Sequence, residues 1–221
     1  FMNSEKLKKH MRCLFTYGGM YLVCNSNLLY HASVPLNEDG SFKHVRIGKK
    51  EYWGHKLLQK TDQLIRTAYF DEDGSKEKNF ALDYMWYMWC GPDAPSFDKD
   101  KMATFERYFI ADKALHKESK GYYYTLRNRA DICDNILAEF GVEPGPHSHI
   151  INGHVPVKII KGERPIKADG KLLVIDGGFS KAYQPETGIA GYTLVYHSHG
   201  MQLVQHEPFQ SRQKAIEEGQ D

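Results

Sequence analysis

Two apolar segments of the chain each end at a turn that carries a histidine, and this feature constrains the fold most. Residues 28–30 are followed at once by His31, and residues 149–152 are followed by Gly153 and His154. A short apolar run that ends in turn residues is typical of a buried strand. Each histidine is therefore predicted at the carboxyl end of a strand, where α/β sheets hold ligands and metal ions. Gly153 is expected to let the backbone turn sharply before His154.

The other segments predict helices in the middle of the chain and strands in its last third. Helical spacing of apolar residues predicts an amphipathic helix over 3–16, helices across 51–90 and a clear helix over 125–140. Apolar runs at 20–24 and 28–30 predict a hairpin, and residues 104–110 alternate as a strand would. Further strands are predicted at 147–153, 155–160, 171–178, 191–198 and 201–209. This order predicts an α/β fold, a layered sandwich with a mixed sheet and a helical insertion.

Composition excludes several classes of partner. The 221 residues carry a formal net charge of +1, so no bulk field favours nucleic acid or an acidic membrane. No apolar run approaches the roughly 20 residues that span a bilayer. Four cysteines without close spacing predict reduced thiols rather than a disulfide framework. The sequence therefore predicts a cytoplasmic protein that binds neither nucleic acid nor membrane.

The histidines leave two interpretations open at this point. The chain has eleven of them, and most histidines in such a chain are surface residues or hydrogen-bonded core residues. The matching positions of His31 and His154 favour metal ligands, since neutral imidazole is a common ligand. His147 and His149 have strand spacing, which fits a surface pair or a group that contacts His154 or substrate.

Five stretches carry a resemblance that spans residues 3 to about 209. They are "NLLYHASVPLNEDGSF", "MWYMWCGPDAPSF", "KMATFERYFI", "INGHVPVK" and "LLVIDGGFSKAYQPETGIAGYTL". Together they strongly resemble the class III fructose-1,6-bisphosphatases of bacteria, which belong to the calcineurin-like metallophosphoesterase superfamily. The resemblance implies a sandwich of the metallophosphoesterase type in which His31 and His154 are metal ligands.

The superfamily's earlier motifs are absent from the chain. There is no Asp-x-His, no Gly-Asp and no Gly-Asn-His, which in the superfamily supply the bridging carboxylate, the asparagine ligand and the acid-catalysis histidine. The resemblance therefore implies the carboxyl-terminal part of such an enzyme, with its acid-catalysis histidine upstream and no catalytic residue here. Four parts are expected: a core hairpin carrying His31 (1–50), a mostly helical insertion (51–120), core carrying His154 (121–209) and a polar tail (210–221).

The resemblance also implies an activity and a cofactor. The activity is hydrolysis of fructose 1,6-bisphosphate to fructose 6-phosphate and phosphate in gluconeogenesis. The cofactor is a dinuclear divalent metal site, with manganese as the ion and one of the two histidines on each metal. Two such ions polarise the phosphoryl group and lower the pKa of a bridging water. The expected partners are the missing amino-terminal part and further copies of the protein, since a piece of a sandwich exposes edges and apolar faces.

Three residues are predicted to bind substrate. Asp176 follows a strand with two glycines behind it, and Lys181 could neutralise a phosphate held there. A tight turn with a solvated lysine explains the same pattern. Arg107 is a candidate for the second phosphate, because a guanidinium offers a bidentate fork. Arg127 and Arg129 are expected instead to pair with Asp131 and Asp134.

Two weaker interpretations complete the prediction. The aromatic stretch 85–90, "MWYMWC", is expected to pack in the core, with sugar stacking as the alternative. The alternatives to the proposed activity are a non-catalytic binding module of the same fold and a phosphoesterase acting on another substrate, since a fold does not fix a substrate.

Overall fold

A computed structural model describes residues 3–189, 191–207 and 209–219. Pro208 of the predicted strand 201–209 lies outside the described residues, as do Gln220 and Asp221 of the predicted tail. The strands are β1 (Tyr21–Cys24), β2 (Asn27–Tyr30), β3 (Val45–Ile47), β4 (Lys50–Tyr52), β5 (His149–Asn152), β6 (Ile166–Lys167), β7 (Leu172–Val174), β8 (Gly191–His197) and β9 (Gly200–His206). The helices are α1 (Glu5–Tyr17), α2 (Gly54–Phe70), α3 (Lys76–Cys90), α4 (Thr104–Phe109), α5 (Tyr123–Leu126), α6 (Ala130–Glu139), α7 (Gln184–Thr187) and α8 (Arg212–Glu218).

A five-stranded mixed sheet in the order β1-β2-β5-β7-β6 forms the centre of the fold. β1 and β2 make the predicted hairpin, and its turn residues Asn25 and Ser26 both have positive φ, as a tight two-residue hairpin turn requires. β2, β5 and β7 are parallel, so their carboxyl ends meet at one edge of the sheet. The α/β class and the mixed sheet are thereby confirmed.

The two faces of this sheet differ in burial. Leu28, Ile150 and Leu172 are neighbours in register across the three parallel strands, and all three are fully buried. They belong to one core cluster with Ile136 and other residues of α6. Side chains at the alternate positions of the strands point to the other face of the sheet. There Leu29 is half-buried, and its partner on β1, Leu22, is 58% exposed. The second face of the sheet is therefore open at the β1 side.

A second core cluster lies between the short β3–β4 hairpin and the helices α2 and α3. It contains Val45, Ile47, Leu57 and Leu64, and the hydroxyl groups of Thr61 and Tyr84 hydrogen bond inside it at 3.0 Å. The four-part division predicted above stays a prediction. Sequence periodicity missed the β3–β4 hairpin because its strands are only three residues long.

The prediction that the aromatic stretch 85–90 packs in the core is only partly right. Met88 is buried, whereas Trp86 and Trp89 are 62% and 41% exposed. The two tryptophans are three residues apart on α3 and therefore share a helical face, which differs from the face of Met88. An apolar run inside a helix thus places part of its side chains outside the core.

Three segment predictions are wrong. Residues 104–109 of the predicted strand 104–110 form α4 instead, and the rings of Phe105 and Phe109 stack one helical turn apart at 6.4 Å. The helix predicted over 125–140 is divided into α5 and α6, since Arg129 has an extended backbone. Residues 155–160 are mostly irregular and end in a short 3-10 turn at Ile159–Lys161, because Pro156 cannot donate a ladder hydrogen bond.

The last hairpin is separate from the central sheet. β8 and β9 pair antiparallel over their whole length and form their own two-stranded sheet, with the predicted turn at 197–200. α8 confirms a helix in the polar tail. Among the described residues no helix has the length and apolar character that a membrane span needs.

Candidate metal and phosphate site

His31 and His154 meet at the carboxyl edge of the central sheet. Each lies in the loop that follows one of two adjacent parallel strands, β2 and β5. The Nε2 of His31 is 3.1 Å from the Nδ1 of His154, and the ring planes are inclined by 68°. The expectation that the two strand ends deliver their imidazoles to one place is therefore met by the geometry.

Backbone hydrogen bonds hold the two loops together. The N–H of Gly153 donates to the carbonyl oxygen of His31 at 3.0 Å. The side-chain amide of Asn152 donates to the carbonyl of Ala32 at 3.1 Å and to the hydroxyl of Tyr123 at 2.6 Å. Because these contacts fix both loops, the imidazoles are held by the scaffold rather than by each other alone.

The sharp turn before the site is made by His154 itself. Its φ is 66°, in the left-handed region, while Gly153 has no positive φ. A Cβ added to Gly153 would lie 3.4 Å from the Cβ of Asp176, an ordinary contact. The expectation about Gly153 is therefore wrong, and the conformational strain is at the histidine. A non-glycine residue in this region is uncommon, and such strain concentrates at functional sites.

Both imidazoles are neutral at physiological pH. The pKa of His154 is lowered to about 4 by burial first, and then by the charges of His31, Lys99 and Lys120. Burial also lowers the pKa of His31, an effect that the Asp176 carboxylate opposes. Neutral imidazole is the form that binds metal ions. The electrostatics of the pair therefore suit a metal ligand better than a cation.

Asp176 lies beside the histidines at the same edge. It follows the third parallel strand, β7, and its Oδ1 accepts a hydrogen bond from the N–H of Gly178 at 3.0 Å. Its carbonyl oxygen accepts from the N–H of Val157 at 2.7 Å. All three predicted residues at this edge line one open cavity of about 940 Å³. Its apolar wall is the second face of the sheet, including the exposed Leu22, the half-buried Leu29 and the buried Ile151.

The described residues do not form a complete metal site. Among them no three His, Cys, Asp or Glu side chains converge as metal ligands would. The two imidazoles still fit an ion: both nitrogens are neutral, and their 3.1 Å separation is compatible with bonds of roughly 2.1 Å to one centre. Two such groups are fewer than a metal site needs, so the pair fits an ion only with further ligands.

The other predicted residues lie elsewhere. Lys181 is exposed in the turn before α7 and outside the residues that line the cavity. Arg107 is exposed on α4, with its Nη2 3.4 Å from both the carbonyl oxygen of His116 and the Oε2 of Glu118. Their roles in substrate binding stay predictions.

His147 and His149 do not reach the site. His147 is exposed, and His149 lies at the opposite end of β5, where its Nδ1 is 2.8 Å from the carbonyl oxygen of Gly170. Sequence reasoning missed Phe97, whose ring packs against that of His154 with centroids 5.2 Å apart. No local pattern marks this contact, because Phe97 comes from an irregular segment 57 residues away in the chain.

The strain at His154 leads to a testable prediction about stability. His154→Gly and His154→Ala remove the same imidazole, but only glycine adopts a φ of 66° without a Cβ penalty. The glycine variant is expected to have a higher free energy of unfolding than the alanine variant, by about 1 kcal/mol. Urea denaturation of both variants measures the difference. An alanine variant at least as stable as the glycine variant would contradict strain at this position.

Comparison with known proteins gives a consistent result. A family model described as Firmicute fructose-1,6-bisphosphatase matches residues 1–221. Among curated relatives named fructose-1,6-bisphosphatase class 3, the protein of Bacteroides fragilis is 85% identical over the whole chain. The relatives of Bacteroides thetaiotaomicron and Phocaeicola vulgatus are 84% and 69% identical, also over the whole chain. The resemblance noted from the sequence motifs is confirmed.

The chain spans about a third of the length of these relatives, 33% in each of the three. No solved structure matches it.

Proposed function

The chain belongs to the Firmicute fructose-1,6-bisphosphatase family, and from that premise we propose that it supplies part of the active site of a metal-dependent phosphatase. The proposed reaction is hydrolysis of fructose 1,6-bisphosphate to fructose 6-phosphate and phosphate. The observation that carries the proposal is the pair of neutral imidazoles, 3.1 Å apart, at the ends of two adjacent parallel strands. A site for a divalent ion at a sheet edge suits phosphoester hydrolysis.

His31 and His154 are the residues that would hold the ion. Their separation favours both nitrogens on one ion, in place of the one-ligand-per-metal arrangement expected from the sequence. Manganese in a dinuclear site is the cofactor proposed, with the further ligands contributed by the rest of the longer protein. When bound, such ions polarise the phosphoryl group and lower the pKa of the attacking water. The chain's own part is to fix two ligands through rigid strands.

Asp176 has a supporting role in this proposal. Its carboxylate acts on His31 electrostatically and faces the same cavity. A carboxylate at this place raises the basicity of a neighbouring imidazole. Lys181 and Arg107 are retained as proposed contacts to substrate phosphate. Lys181 is in the turn before α7 and Arg107 is on α4, so both segments would have to approach the edge when substrate binds.

Two features of the fold support a larger sandwich of the metallophosphoesterase type. One face of the central sheet is open at Leu22 and Leu29, and β8–β9 is a two-stranded sheet, which is marginal without a partner layer. We propose that the preceding part of the longer enzyme packs on these surfaces, so that this chain is its carboxyl-terminal portion. Self-association and a cytoplasmic location belong to the same proposal, and the four unbonded cysteines support a reducing compartment.

The decisive experiment measures phosphate release from fructose 1,6-bisphosphate. The complete enzyme and the 221-residue chain are each stripped with EDTA and assayed with and without added Mn²⁺. Turnover is expected only from the complete enzyme and only with the metal, because no three ligand-type side chains converge among the described residues. Metal-independent turnover would contradict the proposed centre. No turnover by either protein would favour the non-catalytic binding module.

A further inference from the structure

Arg127 is buried against the rings of Tyr123 and Tyr124, without a carboxylate partner among the described residues. It is 7% exposed, and its Nε and Nη1 have no hydrogen-bond partner among the described residues. The predicted pairing with an aspartate is wrong for this residue, because Arg129 pairs with Asp131 at 2.5 Å and Asp134 pairs with Lys171 at 2.8 Å. A buried cation without a counterion is costly. A guanidinium with unpaired donors in such a place would stabilise an anion.

Lys120 and this guanidinium both lie over the ring of Tyr124. The Nζ of Lys120 and the Cζ of Arg127 are each 5.2 Å from the centre of the Tyr124 ring. Burial lowers the pKa of Lys120, and the charges of Arg127, Lys99 and Lys158 lower it further. Lys120, Arg127, Lys99 and Lys158 are together called the cationic cluster.

The cluster is attached to the histidine site by two paired loops. Lys99 and Lys120 face each other in an isolated antiparallel bridge, and the N–H of Gly121 donates to the carbonyl oxygen of Asp98 at 2.7 Å. A Cβ on Gly121 would lie 2.2 Å from Oδ1 of Asp98, so the loops meet at the closest approach that glycine allows. This arrangement gives the two lysines a fixed backbone.

The same loops bring the cations beside His154. The Phe97 ring, two residues before Lys99, packs on the His154 ring, and the Phe97 carbonyl oxygen accepts a hydrogen bond from the hydroxyl of Tyr124 at 2.9 Å. The charges of Lys99 and Lys120 are also among the causes of the lowered pKa of His154. The cluster and the metal site are therefore neighbours at one edge of the sheet.

Carboxylates compensate only part of this charge. Glu118 pairs with Lys99 at 2.8 Å and also approaches Arg107. The charge of Glu163 raises the pKa of Lys120, and the charge of Asp98 raises the pKa of Tyr124. Within the described residues, however, no carboxylate comes within ion-pair distance of Lys120, Arg127 or Lys158. The cluster keeps a net positive charge beside a site for phosphoryl chemistry.

We infer that Lys120, backed by the buried Arg127 and flanked by Lys99, forms a phosphate subsite that holds the phosphate group of the sugar bisphosphate which is not hydrolysed. This inference rests on the proposed function, since a substrate with two phosphates needs a second cationic site away from the metal. The Lys120 ammonium meets the phosphate, and the Arg127 guanidinium adds charge from below the surface. In a partly desolvated site such charge-assisted contacts are stronger than in water.

The test compares two matched lysine variants of the complete enzyme, Lys120→Gln and Lys117→Gln. Lys117 is exposed, lies three residues away and belongs to no ion pair of the described residues. Lys120→Gln is expected to raise KM for fructose 1,6-bisphosphate about tenfold or more with kcat within about twofold, as loss of one charged phosphate contact implies. Hydrolysis of p-nitrophenyl phosphate, which has a single phosphate, is expected to stay within about twofold. Lys117→Gln is expected to match the wild type on both substrates.

Binding of fructose 6-phosphate separates this inference from the proposed reaction. The product keeps the phosphate assigned to Lys120, and calorimetric titration in EDTA removes any contribution from metal. Binding that Lys120→Gln weakens about tenfold supports the subsite even if the enzyme does not hydrolyse the bisphosphate. An unchanged KM together with unchanged binding overturns the subsite while the proposed reaction stands. An equal loss on both phosphate esters also overturns it, because that pattern marks a structural effect on the metal site.

Discussion

Replacing His154 by alanine in the complete enzyme is expected to lower Mn²⁺-dependent phosphate release from fructose 1,6-bisphosphate by more than about 100-fold. Loss of a group that only supports a metal ligand already costs about 10- to 100-fold, and His154 is proposed as a ligand itself. Its ring is neutral, faces His31 at 3.1 Å and is held in a strained backbone conformation. No other described imidazole is within reach of the pair to replace it.

The control for this prediction is His147→Ala. His147 is exposed before the start of β5, at the other end of the strand from His154, so its variant is expected to keep wild-type turnover and wild-type affinity for Mn²⁺. Both variants are assayed for phosphate release over a Mn²⁺ titration. If His154→Ala turns over at the wild-type rate at low Mn²⁺, the imidazole is not a ligand, and the metal site proposed for this edge of the sheet is wrong.

The sequence was sufficient for the parts of the site that depend on local pattern. An apolar run followed by a histidine predicts a strand end, which places His31 and His154 each after a strand. The β1–β2 hairpin follows in the same way from its two turn residues. These features are predictable because the strand, the turn and the functional side chain are adjacent in the chain. That β2 and β5 pair in parallel and bring both histidines to one edge depends on tertiary structure and is not in the local pattern.

The cationic cluster could not be predicted, because its members meet only through tertiary packing. Lys99 and Lys120 are 21 residues apart in irregular segments, and no periodicity marks the bridge that pairs them. Asp131 and Asp134 follow Arg127 within seven residues, which favours a local ion pair. That pair fails to form because α6 begins only at Ala130, so the bend at Arg129 separates the guanidinium from the helix. The local charge pattern is therefore right for Arg129, which pairs with Asp131, and wrong for Arg127, whose guanidinium is buried without a carboxylate partner among the described residues.

Stability of the sheet is expected to depend strongly on Ile150. Its side chain is fully buried in the middle of the row formed with Leu28 on β2 and Leu172 on β7. Ile150→Ala leaves a cavity between the sheet and α6, and such truncations cost about 2–5 kcal/mol. Ile150→Val removes one methylene group and is expected to cost about 0.5–1.5 kcal/mol. Urea denaturation of the complete enzyme, followed by circular dichroism, measures both changes.

The same variants link the sheet to the metal site. Ile150 precedes His154 on the strand that positions it, so a folded Ile150→Ala protein keeps its ligands. Mn²⁺ at about 100 times its Kd is then expected to stabilise it by about 2.7 kcal/mol, and a similar gain is expected for the wild type. His154→Ala should gain much less at the same metal concentration, because it has lost a ligand. Equal stabilisation of the wild type, Ile150→Ala and His154→Ala by Mn²⁺ would place the metal away from β5. In the urea experiment, a decrease below about 1 kcal/mol in the free energy of unfolding of Ile150→Ala would mean that this row of side chains does not form the core.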